Sequence, residues 1–299
     1  MNAFVFPGQG SQKVGMGRAI CERCEAALDL FERANAVLGY DLAQLCREGP
    51  EDRLTDTRHA QPALLTVGVT AYLEARDKGL QAHMAAGHSL GEYTALVAAG
   101  ALDFEEALRL VQRRAELMAA APPGTMAALI GLADDKVDDV LQGAGSAGVV
   151  VAANYNSPGQ VVISGEPAAV EAAMQAAKAG GAKMAVKLPV SGAFHSPLLR
   201  EAGAQMAQLI DAAPFRDAVI PVYQNATAQP ATAAADLKAA LRLQMTSPVR
   251  WTETVRAMVA SGATQFYELG PGSVLSGLIK RIDKSVIIEN SDRWEQSGA

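Results

Sequence analysis

Apolar residues in this chain fall into short blocks closed by glycine or proline, separated by stretches in which they recur every three to four positions. The first block, Ala3-Phe4-Val5-Phe6, stops at Pro7-Gly8 and predicts a buried strand feeding a glycine-rich loop, Gly8-Gln9-Gly10-Ser11. Helical periodicity follows over 17–37 and 62–77. A second apolar block, 82–86, predicts a strand that runs into Gly87-His88-Ser89-Leu90-Gly91 and then a helix over 92–99. Further strands are expected near 219–223 and 265–268. Strands alternating with helices imply a parallel sheet.

Between 125 and 192 the pattern changes. Strands are expected over 126–131, 149–153, 160–164 and 183–188, with helices over 134–141 and 167–179. The order β-α-β-β-α-β is that of a ferredoxin-like unit. The expected fold is therefore α/β, a large hydrolase-like domain with a parallel sheet (1–124 and 193–299) carrying a smaller inserted ferredoxin-like domain (125–192).

Composition narrows the function classes. With 49% hydrophobic and 5% aromatic residues in 299, the chain can build a sizeable core from small aliphatic side chains, which suits helices on a parallel sheet. A formal charge of −6 without a basic run leaves no electrostatic footprint for nucleic acid. No stretch approaches the roughly 18 consecutive apolar residues of a membrane span, and the N-terminus lacks the pattern of a signal peptide. The cytoplasm is the expected compartment. Cys21-x-x-Cys24 lies in a predicted helix, with only Cys46 as a third thiol and no adjacent histidine pattern, so no metal is expected. Gly8-x-Gly10 lacks the third glycine of a dinucleotide fingerprint, so no cofactor is expected either.

Candidate chemistry begins at Ser89. A G-x-S-x-G match between a predicted strand and a predicted helix is the context in which a sharp turn exposes a serine hydroxyl and aims the next N–H at a substrate. The alternative is a serine N-cap in a glycine-rich loop. His88 adjoins Ser89, but neighbouring side chains on a tight turn point apart. His195, in the loop 189–197 that closes the small domain, is a candidate general base, or else an exposed or capping histidine; His59 and His83 sit in stretches without loop character. No acid stands in a distinctive motif to orient the imidazole, and a backbone carbonyl could do so instead.

Arg114 supplies an independent clue. Over 104–119, Phe104, Ala107, Leu108, Val111, Ala115 and Met118 form one apolar stripe, and Glu105, Arg109, Gln112, Arg113 and Glu116 the opposite face. Arg114 breaks the pattern by lying inside the edge of the stripe. A buried arginine needs an anion: an internal Asp or Glu, an escape by snorkelling, or a carboxylate on a substrate.

Five segments together, 6–12, 87–93, 154–160, 192–196 and 268–272, closely resemble the signatures of malonyl-CoA:acyl-carrier-protein transacylases, and the resemblance runs from about residue 3 to about 283. It implies transfer of a malonyl group from malonyl-CoA, a substrate rather than a cofactor, to the phosphopantetheine thiol of an acyl carrier protein, for fatty acid biosynthesis. Ser89 matches the acylated nucleophile, His195 its base and Arg114 the malonyl-carboxylate ligand. Gln9 and Leu90 match the positions whose N–H groups form the oxyanion hole, and Gln244 the residue whose main-chain carbonyl orients the histidine. Gln61 and Asn156 match pocket-lining positions, and Phe194 resembles the bulky residue that excludes an α-methyl branch. Lys280 and Arg281 are candidates for a basic rim facing an acidic carrier protein, or ordinary solvated charges at a helix end. A monomer is expected. Rival readings are a transferase serving a polyketide or malonate-decarboxylase acceptor, a serine hydrolase of lipids or esters, and a non-catalytic docking subunit in which Ser89 is never acylated.

Overall fold

In the computed structural model, which describes residues 1–190 and 192–296, ten strands form two sheets. They are β1 (Asn2–Phe6), β2 (Met84–Gly87), β3 (Thr125–Ile130), β4 (Val150–Ser157), β5 (Gln160–Gly165), β6 (Met184–Lys187), β7 (Val222–Tyr223), β8 (Pro230–Ala231), β9 (Gln265–Glu268) and β10 (Ile287–Asn290). Ser191 and residues 297–299, which the expected domain limits include, lie outside the described residues.

The larger sheet has the order β10-β9-β1-β2-β7-β8 and is parallel except for β8. Its central strands are buried on both faces, which is why Ala3 to Phe6 reads as a continuous apolar run rather than an alternation. Phe4 and Phe6 point into one cluster, with Leu65 and Leu96; Ala3 and Val5 point into another, with Trp251 and Phe266. The carboxyl ends of β1, β2 and β7 therefore lie side by side, the place where open α/β sheets put ligands.

The smaller sheet has the order β4-β5-β3-β6, with every pair antiparallel. Helices Val137–Ala144 and Pro167–Ala179 cover one face, completing the β-α-β-β-α-β order. Along β3, Ala127 and Leu129 enter a separate core with Val140 and Val170, while Met126 and Ala128 face the main cluster. A bridge between Pro123 and Gly192 brings together the two chain segments that flank this unit.

Several expected boundaries shift. The helix expected over 17–37 is two, Arg18–Arg23 and Glu25–Leu38: Cys24 is extended, its N–H closing on Ile20 while its carbonyl opens the next helix. Cys24 is thus a link, and all three cysteines are free thiols. The helix expected from 62 is Thr57–Asp77, because the Asp56 side chain caps it at Arg58 N–H one turn earlier. The strand near 219–223 shrinks to two residues behind Pro221. Expected over 149–153, β4 runs to Ser157, and two register shifts, at Ala152/Asn154 and Tyr155/Ser157, erase the period-two signal. No helix among the described residues is long and apolar enough to cross a membrane.

Candidate active site

The turn after β2 is built by what its glycines omit. A Cβ on Gly87 would lie 1.8 Å from the Gly91 carbonyl carbon, and one on Gly91 would lie 2.1 Å from Phe6 O. Only with both absent can the Gly91–Ala98 helix start directly against the end of β1. The turn forces Ser89 to φ 51°, a left-handed conformation that side chains other than glycine, Asn or Asp rarely adopt. Gly8 packs on the same turn, where a Cβ would meet His88 O at 2.4 Å. This brings Gln9 to the cleft; its side chain is tied back to Thr57 Oγ1 at 2.9 Å.

Ser89 Oγ lies 2.8 Å from His195 Nε2. His195 is also left-handed, φ 56°, and buried, in the loop that follows the small sheet. Its Nδ1 lies 2.9 Å from the main-chain oxygen of Gln244 and 3.2 Å from that of Ser247. Carbonyls only accept, so Nδ1 carries the proton and Nε2 is free to take one from Ser89. No carboxylate is needed to hold this ring. Burial, and next the charge of Arg114, push the His195 pKa down to about 3, so the imidazole is neutral near pH 7. His88 turns away: its Nε2 lies 2.8 Å from Asn156 Oδ1 and its ring stacks edge-on against Trp251. His83 Nδ1 accepts the Asn2 N–H, and His59 stacks on Tyr40, both away from Ser89.

Arg114 is 1% exposed on the Phe104–Ala119 helix, whose buried face otherwise holds the apolar stripe together with Leu110. It neither snorkels out nor meets an Asp or Glu. Nη1 donates to Gln61 Oε1 at 2.6 Å, and Nη2 to Gln244 Oε1 at 3.0 Å and Ser89 Oγ at 3.1 Å. Nε is buried without a partner among the described residues. A positive charge thus sits beside the serine hydroxyl with neutral oxygens as its hydrogen-bond partners, over the Tyr93 ring at 5.8 Å and within electrostatic reach of Glu92.

The cleft has two connected parts sharing Gln9, Thr55, Met118, Pro189, Val190 and Phe194. The inner part, about 410 Å³, holds Ser89, His195, Met126 and Asn154. The outer part, about 650 Å³, is lined by Asp52, Asp56, Thr57 and Arg58. Phe194 stands between them, its ring folded over Gly192, where a Cβ would sit 2.3 Å from it. Asn156 lines a smaller adjoining pocket of about 190 Å³ that shares Gln9, His88 and Leu188 with the inner part, and Asn154 lines both. Gln61 is fully buried beneath Arg114 rather than lining the cleft. Lys280 is tied to Val286 O and Arg281 to Gln160 Oε1.

Sequence reading missed Asn225 and Glu92. Asn225 follows β7; its Oδ1 accepts Ser89 N–H at 2.6 Å and its Nδ2 donates to Gly87 O at 2.7 Å. Glu92 is buried behind the nucleophile, where burial raises its pKa to about 7. The only sequence signal for Asn225 was its place just past a parallel strand. Glu92 passes as an ordinary acid in the first turn of a helix.

Comparison with known proteins agrees with this geometry. The acyl transferase domain family matches residues 3–292. The malonyl CoA-acyl carrier protein transacylase of Bacillus subtilis is 44% identical over 286 residues, covering 94% of this chain and 90% of that protein. The crystal structure of an acyl carrier protein S-malonyltransferase from Vibrio cholerae superposes with a TM-score of 0.94 at 43% identity, covering 97% of this chain and 96% of that one. A malonyl-transacylase solved in complex with its type II PKS acyl-carrier protein gives a TM-score of 0.93 at 41% identity, covering 97% and 95%. A serine on a glycine-built turn, a histidine held by carbonyls and likeness along nearly the whole length all converge: the chain belongs to the acyl transferase domain family, among the malonyl CoA-acyl carrier protein transacylases.

Proposed function

We propose that the protein moves a malonyl group from malonyl-CoA to the phosphopantetheine thiol of an acyl carrier protein, for fatty acid synthesis, through a malonyl ester on Ser89. The observation that carries this reading is Arg114, a buried guanidinium 3.1 Å from Ser89 Oγ that hydrogen-bonds to no carboxylate among the described residues. Carrying that charge unpaired is costly, and a substrate carboxylate supplies the missing partner.

In the proposed cycle Ser89 Oγ attacks the thioester carbonyl carbon as its proton passes to His195 Nε2. The oxyanion is received by the N–H groups of Gln9, after β1, and Leu90, at the start of the Gly91–Ala98 helix. The C–S bond breaks, His195 returns the proton to the departing sulfur, and the ester remains. The carrier thiol repeats the steps in reverse, losing its proton to His195 and releasing Ser89. Gln244 orients His195 through its main-chain oxygen. Gln61 holds Arg114 from below, and Phe194 limits room for a branch on the acyl chain. Asn156 supports the site by fixing His88. The limits 1–124 with 193–299, and 125–192, are proposed as the two domains, with the cleft at their junction; the separate core of the small sheet supports that division. No step calls for a cofactor, and a cytoplasmic location fits these substrates.

The test is intact-mass measurement after incubation with malonyl-CoA or acetyl-CoA. A malonyl-sized adduct on the wild type that is missing from Ser89→Ala supports the assignment; a wild type that takes neither group, or takes acetyl as readily, refutes it.

A further inference from the structure

Ser89 is held in its left-handed conformation from both sides of its own backbone. Its N–H donates to Asn225 Oδ1 at 2.6 Å, and its carbonyl accepts from Gln244 Nε2 at 2.9 Å. These two amides come from elements remote in sequence, the loop after β7 and the short helix Gln244–Thr246. The two residues meet on one atom, Glu92 Oε2, which accepts from the Gln244 side-chain Nε2 at 2.8 Å and from the Asn225 main-chain N–H at 3.2 Å. Glu92 is 1% exposed and lines neither part of the cleft.

We propose that Glu92 is a positioning residue for acyl transfer: its carboxyl anchors Asn225 and Gln244 as a clamp that fixes the Ser89 hydroxyl against His195. The inference rests on the reading of Ser89 as the acylated nucleophile. The Gln244 amide shows why an anchor is needed. Its oxygen must face Arg114, while its NH2 must face Ser89 O. An acceptor behind the NH2 locks that orientation, and without it the amide can rotate, turning an NH2 toward the guanidinium and releasing the Ser89 carbonyl. The same residue's main-chain oxygen holds His195, so a loosened Gln244 disturbs both reacting partners. Arg114 keeps its 2.6 Å bond to Gln61 in either case and gives up only the bond to Gln244 Oε1, so substrate capture is affected less than the placement of Ser89.

The experiment is single-turnover acylation by malonyl-CoA, read by intact mass, on the full chain. Glu92→Met, of similar length but unable to accept a hydrogen bond, lowers the maximal acylation rate by about 10²-fold, the scale of a small misplacement of reacting groups. The concentration of malonyl-CoA at half-maximal rate stays within about threefold, because the clamp does not touch substrate. Glu92→Gln, whose oxygen can accept both bonds, recovers the rate to within about fivefold of wild type. Asn225→Leu loses about as much as Glu92→Met, and the double variant loses little beyond the worse single one, since both open the same clamp. If Glu92→Met does not fold, Asn225→Leu makes the same rate-against-affinity comparison. Unchanged rates in the variants, losses that multiply in the double variant, or a loss residing in malonyl-CoA affinity overturn the inference. A wild type that takes no malonyl group overturns the functional reading instead, so the two failures are separable.

Discussion

Replacing Arg114 by methionine removes the charge while keeping much of the side chain's length, so the Phe104–Ala119 helix keeps its packing. The size of the effect follows from what the guanidinium touches. Its three hydrogen bonds all go to neutral oxygens, on Gln61, Gln244 and Ser89. A bound malonyl carboxylate adds two charge-assisted bonds, worth about 1.5–3 kcal/mol each, and displaces neutral bonds worth about 1 kcal/mol each. With two bonds gained and two displaced, the balance is about 1–4 kcal/mol, or roughly 5- to 1000-fold in kcat/KM. An acetyl group has no carboxylate and gains none of this. Arg114→Met should therefore cut kcat/KM for malonyl-CoA by that factor and change acetyl-CoA by no more than about threefold. Acylation of Ser89 by each donor, followed by intact mass, measures both numbers. Equal losses with the two donors would refute the reasoning, because Arg114 would then be serving the serine or the fold rather than the carboxylate.

Four further outcomes follow from the geometry. His195 is pushed below its ordinary 6.5 by burial first and Arg114 second, to about 3; the acid limb of the acylation rate should lie well below pH 6.5 and move upward in Arg114→Met, as a pH–rate profile would show. The same depression means the unfolded chain binds the extra proton, so this contribution to stability is full above pH 6.5 and is lost as pH falls toward 3, measurable by urea unfolding across that window. Gly91→Ala would place a Cβ 2.1 Å from Phe6 O, backbone against backbone, and should cost about 3 kcal/mol or more in denaturant unfolding. Glu268 is buried and caps the Val274–Ile282 helix by accepting from Leu275 N–H, Ser276 N–H and the Ser276 hydroxyl; Glu268→Ala should lose about 2 kcal/mol by the same assay while leaving Ser89 acylation intact.

What could be read along the chain was whatever a local rule enforces. Gly87 and Gly91 flank Ser89 because a Cβ at either meets backbone, and that exclusion writes itself into adjacent letters. Arg114 was visible because a helix has a fixed period and a charge in its apolar stripe breaks it. The order of elements over 125–192 was visible from their alternation. Asn225 and Glu92 were not, since their contacts join residues 133 positions apart and leave no spacing to recognise. The reach of β4 was hidden by bulges that spoil the alternation a strand is recognised by. Cys24 looked helical because both of its neighbours are, while its own ψ of 107° ends one helix and begins another.

The absence of a carboxylate behind His195 fits the proposed chemistry better than it fits hydrolysis. A buried Asp behind the imidazole would stabilise the imidazolium that forms when the base takes a proton; carbonyls at 2.9 and 3.2 Å fix the ring but offer only dipoles, and Arg114 opposes a second positive charge nearby. His195 is therefore a weak base, poorly matched to drawing a proton from water. Ser89 needs less help, because its hydroxyl is already aligned 2.8 Å from His195 Nε2. A thiol, far more acidic than water, needs less help too. The same pair of groups that admits a carboxylate-bearing thioester thus favours a thiol over water as the second acceptor. Restoring an acid behind the ring tests this: Ser247→Asp, next to one of the two orienting carbonyls, should speed hydrolysis of the malonyl ester relative to its transfer to a thiol. A partition between the two that does not shift toward hydrolysis would show that water is excluded by the shape of the cleft rather than by the basicity of His195.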